Sequence, residues 1–256
     1  MRRLIPLALI LFGCFGSALA DESAALPEVL QALERPFRSD PQQAEGARID
    51  DFQAEFLQQS HIASIDRTQH GSGSVSFRFI RDGAQNGSAM FRWEYREPAP
   101  QEIVSDGRTM WFYLPENRQV IESDMSKLSS LQGENPITFL SALGNLGRDF
   151  SVDWAEPSRD SEGNPVLALR PLKESQYINR LEVVVSQQAV DAFVKQHKTG
   201  SLFPIVSTAV IDPSGNRTAI SFHKVSINRG LAKEIFRFQT PAGVEVVRPS
   251  AQGPGY

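Results

Sequence analysis

Few residues in this 256-residue chain have the types and spacing that covalent or acid–base chemistry needs. The four histidines, His61, His70, His197 and His223, are scattered, with no His-x-x-x-His pair and no carboxylate at metal-ligand spacing. No metal site is predicted. The adjacent carboxylates Asp50 and Asp51 are expected on the polar face of a helix, where solvation is their default role. Gly71-Ser72-Gly73-Ser74 lacks the Gly-x-Ser-x-Gly pattern of a nucleophile elbow and reads as a turn before a strand. Gly144 and Gly147 are not followed by Lys-Ser or Lys-Thr, so no phosphate-cradling loop is expected. A carboxylate pair assembled from distant strands would leave no such local signal.

The residues that do form a pattern are apolar. In Met90-Phe91-Arg92-Trp93-Glu94-Tyr95, strand geometry puts Phe91, Trp93 and Tyr95 on one face and Met90, Arg92 and Glu94 on the other. A second strand at Ile103–Ser105, a hairpin turn at Asp106-Gly107 and a third strand from Thr109 to Tyr113 follow. The run Met110 to Leu114 suits a strand covered on both sides. So much aromatic surface must be buried under something or offered to an apolar ligand.

The elements that position these strands can be read in order. The spacing Leu26, Val29, Leu30, Leu33 predicts a short amphipathic helix with Pro27 in its first turn. Ile49, Phe52, Phe56 and Leu57 predict a second helix, and both helices are expected to cap a sheet. Val75, Phe77, Phe79 and Arg81 then share a strand face, and a Gly/Asn-rich loop spans Asp82 to Ser88. Turn and strand cover Pro115–Ser123, and helical segments are predicted at Met125–Leu131 and Ile137–Leu146, with Phe139, Leu140 and Leu143 on one face. Strands are expected at Phe150–Trp154, Val166–Pro171, Ile178–Val185, Ile205–Ile211, Arg217–Ile227 and Glu234–Gln239. A helix at Ala189–Lys195 interrupts them, and the Pro/Gly-rich tail Pro249–Tyr256 is expected to be disordered.

Arg2 and Arg3, an apolar core from Leu4 to Phe15 and the small-residue pattern Ala18-Leu19-Ala20 predict a cleaved export signal over residues 1–20. Its apolar run is shorter than the roughly 20 residues a membrane-spanning helix needs. Cleavage after Ala20 removes Cys14, the one cysteine, and with it any disulfide or thiolate chemistry. Leu11-Phe12-Gly13-Cys14 weakly matches a lipoprotein cleavage box, which would instead leave an acylated Cys14; bulky Phe12 and the better site at Ala20 argue against it. Removing Arg2 and Arg3 takes the formal charge from −4 to −6, which disfavours nucleic acid and anionic membrane surfaces as partners.

Taken together, several motifs resemble the LolA family, the periplasmic outer-membrane lipoprotein carrier proteins. They are Phe52-x-Ala54-x-Phe56-x-Gln58, Gly71-x-Gly73, Phe91-x-Trp93, Val104-Ser105-Asp106-Gly107-x-Thr109-x-Trp111-x-Tyr113-x-Pro115, Asn135-Pro136 and Phe236-x-Phe238-x-x-Pro241-x-Gly243-Val244. The likeness spans about Ile49 to Val247, and its most specific part is the Val-Ser-Asp-Gly to Trp-x-Tyr segment. It implies a mainly β fold with an α lid: a half-open antiparallel β-barrel (LolA/LolB-like), covered by short helices, in a single domain over residues 21–248. It also implies a periplasmic chaperone rather than an enzyme, with no cofactor. Such a monomer takes triacylated lipoproteins from an inner-membrane lipoprotein-releasing ABC transporter and passes them to an outer-membrane receptor.

On this resemblance the lipid-binding cavity is expected to be lined by Phe52, Phe56, Val75, Phe77, Phe79, Phe91, Trp93, Tyr95, Trp111, Phe139 and Leu143. The family places an arginine on the inner face of the strand after Gly-x-Gly to hold the lid shut. Ungapped matching puts Phe79 there, and Arg81, two residues on with the same face parity, is assigned as the lid latch. The chain departs from the family pattern in its long segment to Gly46, in the extended loop at 82–88 and in an insertion at 186–202. The alternative on the same fold is an acylated outer-membrane lipoprotein receptor, or a carrier of free lipid or glycolipid.

Overall fold

A computed structural model describes residues 24–38, 48–81, 88–128, 139–196 and 202–249. The export signal with Cys14, most of the loop at 82–88, Asn135-Pro136, His197 and the tail from 250 lie outside the described residues. Among the described residues twelve strands form one sheet. They are β1 (Asp51–Ile62), β2 (Arg67–Ile80), β3 (Ser88–Glu97), β4 (Gln101–Ser105), β5 (Thr109–Leu114), β6 (Gln119–Asp124), β7 (Phe150–Arg159), β8 (Pro165–Pro171), β9 (Arg180–Val185), β10 (Ile205–Ile211), β11 (Arg217–Ile227) and β12 (Glu245–Val247). Their order across the sheet is β12-β6-β5-β4-β3-β2-β1-β11-β10-β9-β8-β7. Neighbours pair antiparallel, except that β12 joins β6 in parallel. The two ends of this order do not meet, so the sheet curls into a half-open barrel rather than a closed one.

The first correction concerns Ile49 to Gln58, expected as a helix. Asp51 to Ile62 is instead the central strand, paired with β2 on one side and β11 on the other. Phe52 and Phe56 are four residues apart, a spacing that fits one helix face and equally one strand face. Long-range pairing on both edges decided the matter. Gly71-Ser72-Gly73 likewise lies inside β2 rather than in a turn before it. Asp51, expected to be solvated, is only 4% exposed, and its carboxylate accepts backbone N–H groups from Arg229 (2.7 Å), Gly230 (2.9 Å) and Leu231 (3.1 Å). It closes the chain after β11, where Asn228 and Gly230 take positive φ.

The strand expected at Glu234–Gln239 is a 3-10 turn at Lys233–Phe236. Its Phe236 is buried with Met90 and Leu231 on the outer side of the sheet. Among the described residues four α-helical segments accompany the sheet: α1 (Leu26–Glu34), α2 (Met125–Leu128), α3 (Leu146–Asp149) and α4 (Gln187–Gln196). A 3-10 turn at Arg35–Phe37 extends α1, and another at Leu140–Asn145 leads into α3. The sequence-predicted helix at 189–195 lies within α4, which packs against α1. Val29 and Leu33 of α1 and Leu143 and Leu146 ahead of β7 are fully buried in one core with Phe77, Trp93, Leu167 and Leu181. That core fills the concavity, so the helical segments sit inside the curl of the sheet as its cover.

Candidate functional site

The concave face is built in layers set by strand register. Phe52, Phe77 and Phe91 are cross-strand neighbours on β1, β2 and β3. Phe52 and Phe77 stack at 5.1 Å between centroids, and Phe77 and Phe91 at 5.4 Å. The next layer runs Ala54, Val75, Trp93, Ile103 and Phe112. The third runs Phe56, Gly73 and Tyr95, in which Phe56 meets Trp93 at 5.0 Å and Tyr95 at 4.8 Å, both edge-on. Small residues alternate with large ones, Ala54 in the layer of Trp93 and Gly73 opposite Phe56. On the other side of β1 the face continues as Phe222 and Ile220 of β11, Leu181 and Val183 of β9 and Leu167 of β8, all buried.

Ten of the eleven residues expected to line the cavity belong to this core or pack against it: Phe52, Phe56, Val75, Phe77, Phe91, Trp93, Phe139 and Leu143 are buried, and Phe79 and Tyr95 partly so. Phe52 and Phe56 come from a strand rather than from a helix. The exception is Trp111. Its register partners are Val104 and Glu122, so it projects from the opposite face. There it stacks on Phe238 at 6.1 Å and donates Nε1–H to Glu122 Oε2 at 3.3 Å. On that outer face Arg92, Glu102, Tyr113 and Phe238 border a separate polar cavity of about 470 Å³. The apolar run from Met110 to Leu114, read as covered on both sides, hid which residue faced which way.

Sequence reasoning passed over Phe37 and Phe203. Phe203, in the segment after α4, brings its ring to 4.6 Å from Phe52 and 6.0 Å from Phe222. Phe37, at the end of the turn after α1, lies 5.2 Å from Phe79. Phe203 stands in no periodic stretch, so no local pattern marked it; Phe37 lies four residues beyond Leu33, where the helical spacing was the signal that could have found it. Phe193 of α4 is capped by the Arg35 guanidinium at 6.0 Å, which ties the insertion to the first helix.

Arg81 follows β2 and is mostly enclosed. Its Nε donates to Asp50 Oδ1 at 2.9 Å, its Nη1 to the carbonyls of Phe37 (3.1 Å) and Arg38 (2.7 Å), and its Nη2 to that of Ile49 (2.7 Å). Burial lowers its pKa and Asp50 opposes that shift. One side chain from the sheet thus holds the backbone at the end of the α1 unit. A second tie joins the covering segments to each other. Glu34, 3% exposed, pairs with Arg38 and accepts N–H groups from Leu146 (2.6 Å) and Gly147 (3.3 Å), the first residues of α3. Arg38 Nε in turn donates to Gly144 O at 3.2 Å.

Two polar groups interrupt the apolar concave face. Tyr95 donates its hydroxyl to Gln58 Oε1 at 2.8 Å, and burial pushes its pKa up to about 12. Trp93 Nε1 is buried with no hydrogen-bond acceptor among the described residues. Among the described residues, groups suited to catalysis are not gathered on this face. Ser221 Oγ and His223 Nε2 are 3.0 Å apart, but His223 is exposed on the convex side. No cluster of three or more potential metal ligands occurs among the described residues.

A curled antiparallel sheet with an aromatic concave face, covered by helical segments, defines a lidded half-barrel. The family model described as outer membrane lipoprotein carrier protein LolA matches residues 47–239, and the chain belongs to that family. It is 27% identical over 201 residues to the outer-membrane lipoprotein carrier protein of Hahella chejuensis, covering 78% of this chain and 83% of that protein. With the corresponding protein of Cupriavidus pinatubonensis it shares 28% identity over 233 residues, covering 91% and 95%. Among solved structures, it is similar to a LolA superfamily protein from Nitrosomonas europaea, with TM-score 0.36 and 15% identity over 84% of this chain and 99% of that one.

Proposed function

We infer that this protein carries lipoproteins across the periplasm by enclosing their acyl chains against the concave face, and that it does so without hydrolysing them. The observation that carries this reading is the continuous aromatic layer of Phe52, Phe77 and Phe91, with Trp93 in the next layer, buried under helices rather than under a second sheet. Acyl chains gain roughly 0.8 kcal/mol per buried methylene. That gain far exceeds what a reversible carrier can use, so an opposing term is needed. The lid supplies it. To enter, chains displace Val29, Leu33, Phe37 and Leu143 from the same surface, and net affinity is the difference between the two sets of contacts.

Arg81 is the latch in this scheme. Its hydrogen bonds to Asp50, Phe37, Arg38 and Ile49 hold the closed, empty form and so raise the free energy of the open, loaded one relative to it. A transporter in the inner membrane loads the carrier, and an outer-membrane receptor unloads it. Binding of purified protein to a triacylated lipopeptide, and to the same peptide without acyl chains, tests the reading. The expected result is binding of the acylated form alone, with the cargo recovered intact. Equal binding of both forms would contradict it.

A further inference from the structure

The concave face changes character along its length. At the level of Phe52, Phe77 and Phe91 it is wholly aromatic. Toward the far end of β1 it turns polar. Tyr95 donates to Gln58, Gln58 Nε2 donates to Ser60 Oγ at 3.1 Å, and the hydroxyls of Ser60 and Thr218 are 3.2 Å apart. Gln58 and Ser60 share the face of Phe52 and Phe56 because they lie an even number of residues away, and Thr218 is the register partner of Ser60. The apolar basin therefore ends in a polar ledge.

Trp93 stands between the two, one layer inside Tyr95 on β3. It is 0% exposed, and its Nε1 lacks an acceptor among the described residues. A buried donor without a partner is unfavourable, and phenylalanine, which serves at neighbouring Phe77 and Phe91, carries no such group. The class of cargo supplies the missing acceptor. Every acyl chain ends in an ester or amide carbonyl, placed where apolar tail meets polar head.

We propose that Trp93 Nε1 donates a hydrogen bond to an acyl-linkage carbonyl of the bound lipoprotein. The tails then lie against Phe52, Phe77 and Phe91, and the head group against the Tyr95–Gln58 ledge. Trp93 sets the depth to which chains enter and separates acyl cargo from plain hydrocarbon. The proposal rests on the lipoprotein-carrier reading above.

Three probes test it. The first is a cysteinyl peptide bearing a diacylglyceryl group with ester-linked chains. The second is its dialkyl-ether twin with chains of equal length, and the third is that twin with an added N-acyl chain. The quantity read is the ratio of Kd in Trp93→Phe to Kd in the wild type, for each probe. The expected ratio is roughly tenfold for the ester probe and near one for the ether twin. A tenfold ratio confined to the N-acyl twin assigns the amide carbonyl as the acceptor and equally supports the proposal. The same ratio for all three probes overturns it. If the wild type binds none of them, the carrier reading falls together with it. In wild-type protein the indole N–H resonance of Trp93 should move downfield with the ester probe or the N-acyl twin and not with the ether twin. A resonance that none of the probes moves overturns the proposal even if Trp93→Phe does not fold.

Discussion

Phe56 occupies the space that a side chain at Gly73 would need. A β-carbon on Gly73 would lie 2.7 Å from Phe56 Cε1 and 2.1 Å from the Glu94 carbonyl oxygen, closer than non-bonded atoms approach. This pair lets two strands and two aromatic layers pack without a gap. Gly73→Ala is therefore expected to destabilise the fold by about 1–3 kcal/mol through overpacking. Gly71→Ala, whose β-carbon would come no nearer than 3.2 Å to Glu97 O, should cost less. Denaturant midpoints of the two variants, compared at equal m, check the ordering.

Arg81→Leu removes the side chain that holds the backbone of Phe37, Arg38 and Ile49. The hydrogen bond to Arg38 O is exposed and those to Phe37 O and Ile49 O are half-buried, so the variant should still fold, with stability lowered by about 1–3 kcal/mol. The closed, empty form loses its latch while the loaded form loses little. Release of lipopeptide to an acceptor should then slow by roughly ten- to a hundredfold, as loss of charged hydrogen bonds would give. Stopped-flow release from preloaded protein measures this. Unchanged kinetics would remove Arg81 from the latch role.

Asp51→Ala leaves three buried or half-buried backbone donors, those of Arg229, Gly230 and Leu231, without their acceptor. A loss of about 2–4 kcal/mol is expected from the missing charged hydrogen bonds. Because the site is at the end of β11 and remote from the Tyr95 ledge, any change in cargo affinity should follow the loss of stability. Thermal unfolding and lipopeptide binding of one preparation test both statements.

Tyr95 is raised from 10.0 to about 12 by burial, so its neutral form is favoured by the fold. Below pH 10 both folded and unfolded states are neutral at this residue, and its contribution is fully present. Between pH 10 and 12 the unfolded chain releases a proton that the folded one keeps, and stability falls as pH rises. The slope is at most about 1.4 kcal/mol per pH unit. Tyr95→Phe should remove this component of the alkaline loss. Unfolding curves of both proteins from pH 9 to 11.5 provide the comparison.

How far the sequence carried can be judged from particular residues. The aromatic alternation of Phe91, Trp93 and Tyr95 gave both the strand and its inward face, because period 2 admits no other arrangement there. Ile205–Ile211 and Arg217–Ile227 appear with the bounds the sequence suggested. Phe52 and Phe56 were placed on the wrong kind of element, since a spacing of four is shared by helix and strand and only pairing with β2 and β11 separates them. Trp111 was assigned to the wrong face because Met110 to Leu114 has no alternation to read. Phe203 contributes a ring to the basin from an irregular segment, and such a contact exists only in three dimensions. Arg81 was assigned from the family resemblance together with its face parity with Phe79; its guanidinium lies on the backbone of Phe37, Arg38 and Ile49, and the release experiment above tests its role.

Displacement of the lid by cargo is the centre of this account, and backbone hydrogen exchange of residues 26–38 reports it most directly. On adding a triacylated lipopeptide, the amides of α1 and of its 3-10 extension should exchange faster, while those of β1, β2 and β3 keep their protection or gain more. The deacylated peptide should change neither. Slower exchange in α1 on binding, or no change there with the acylated form bound, would mean that the helices close over the cargo rather than give way to it, and would contradict the account.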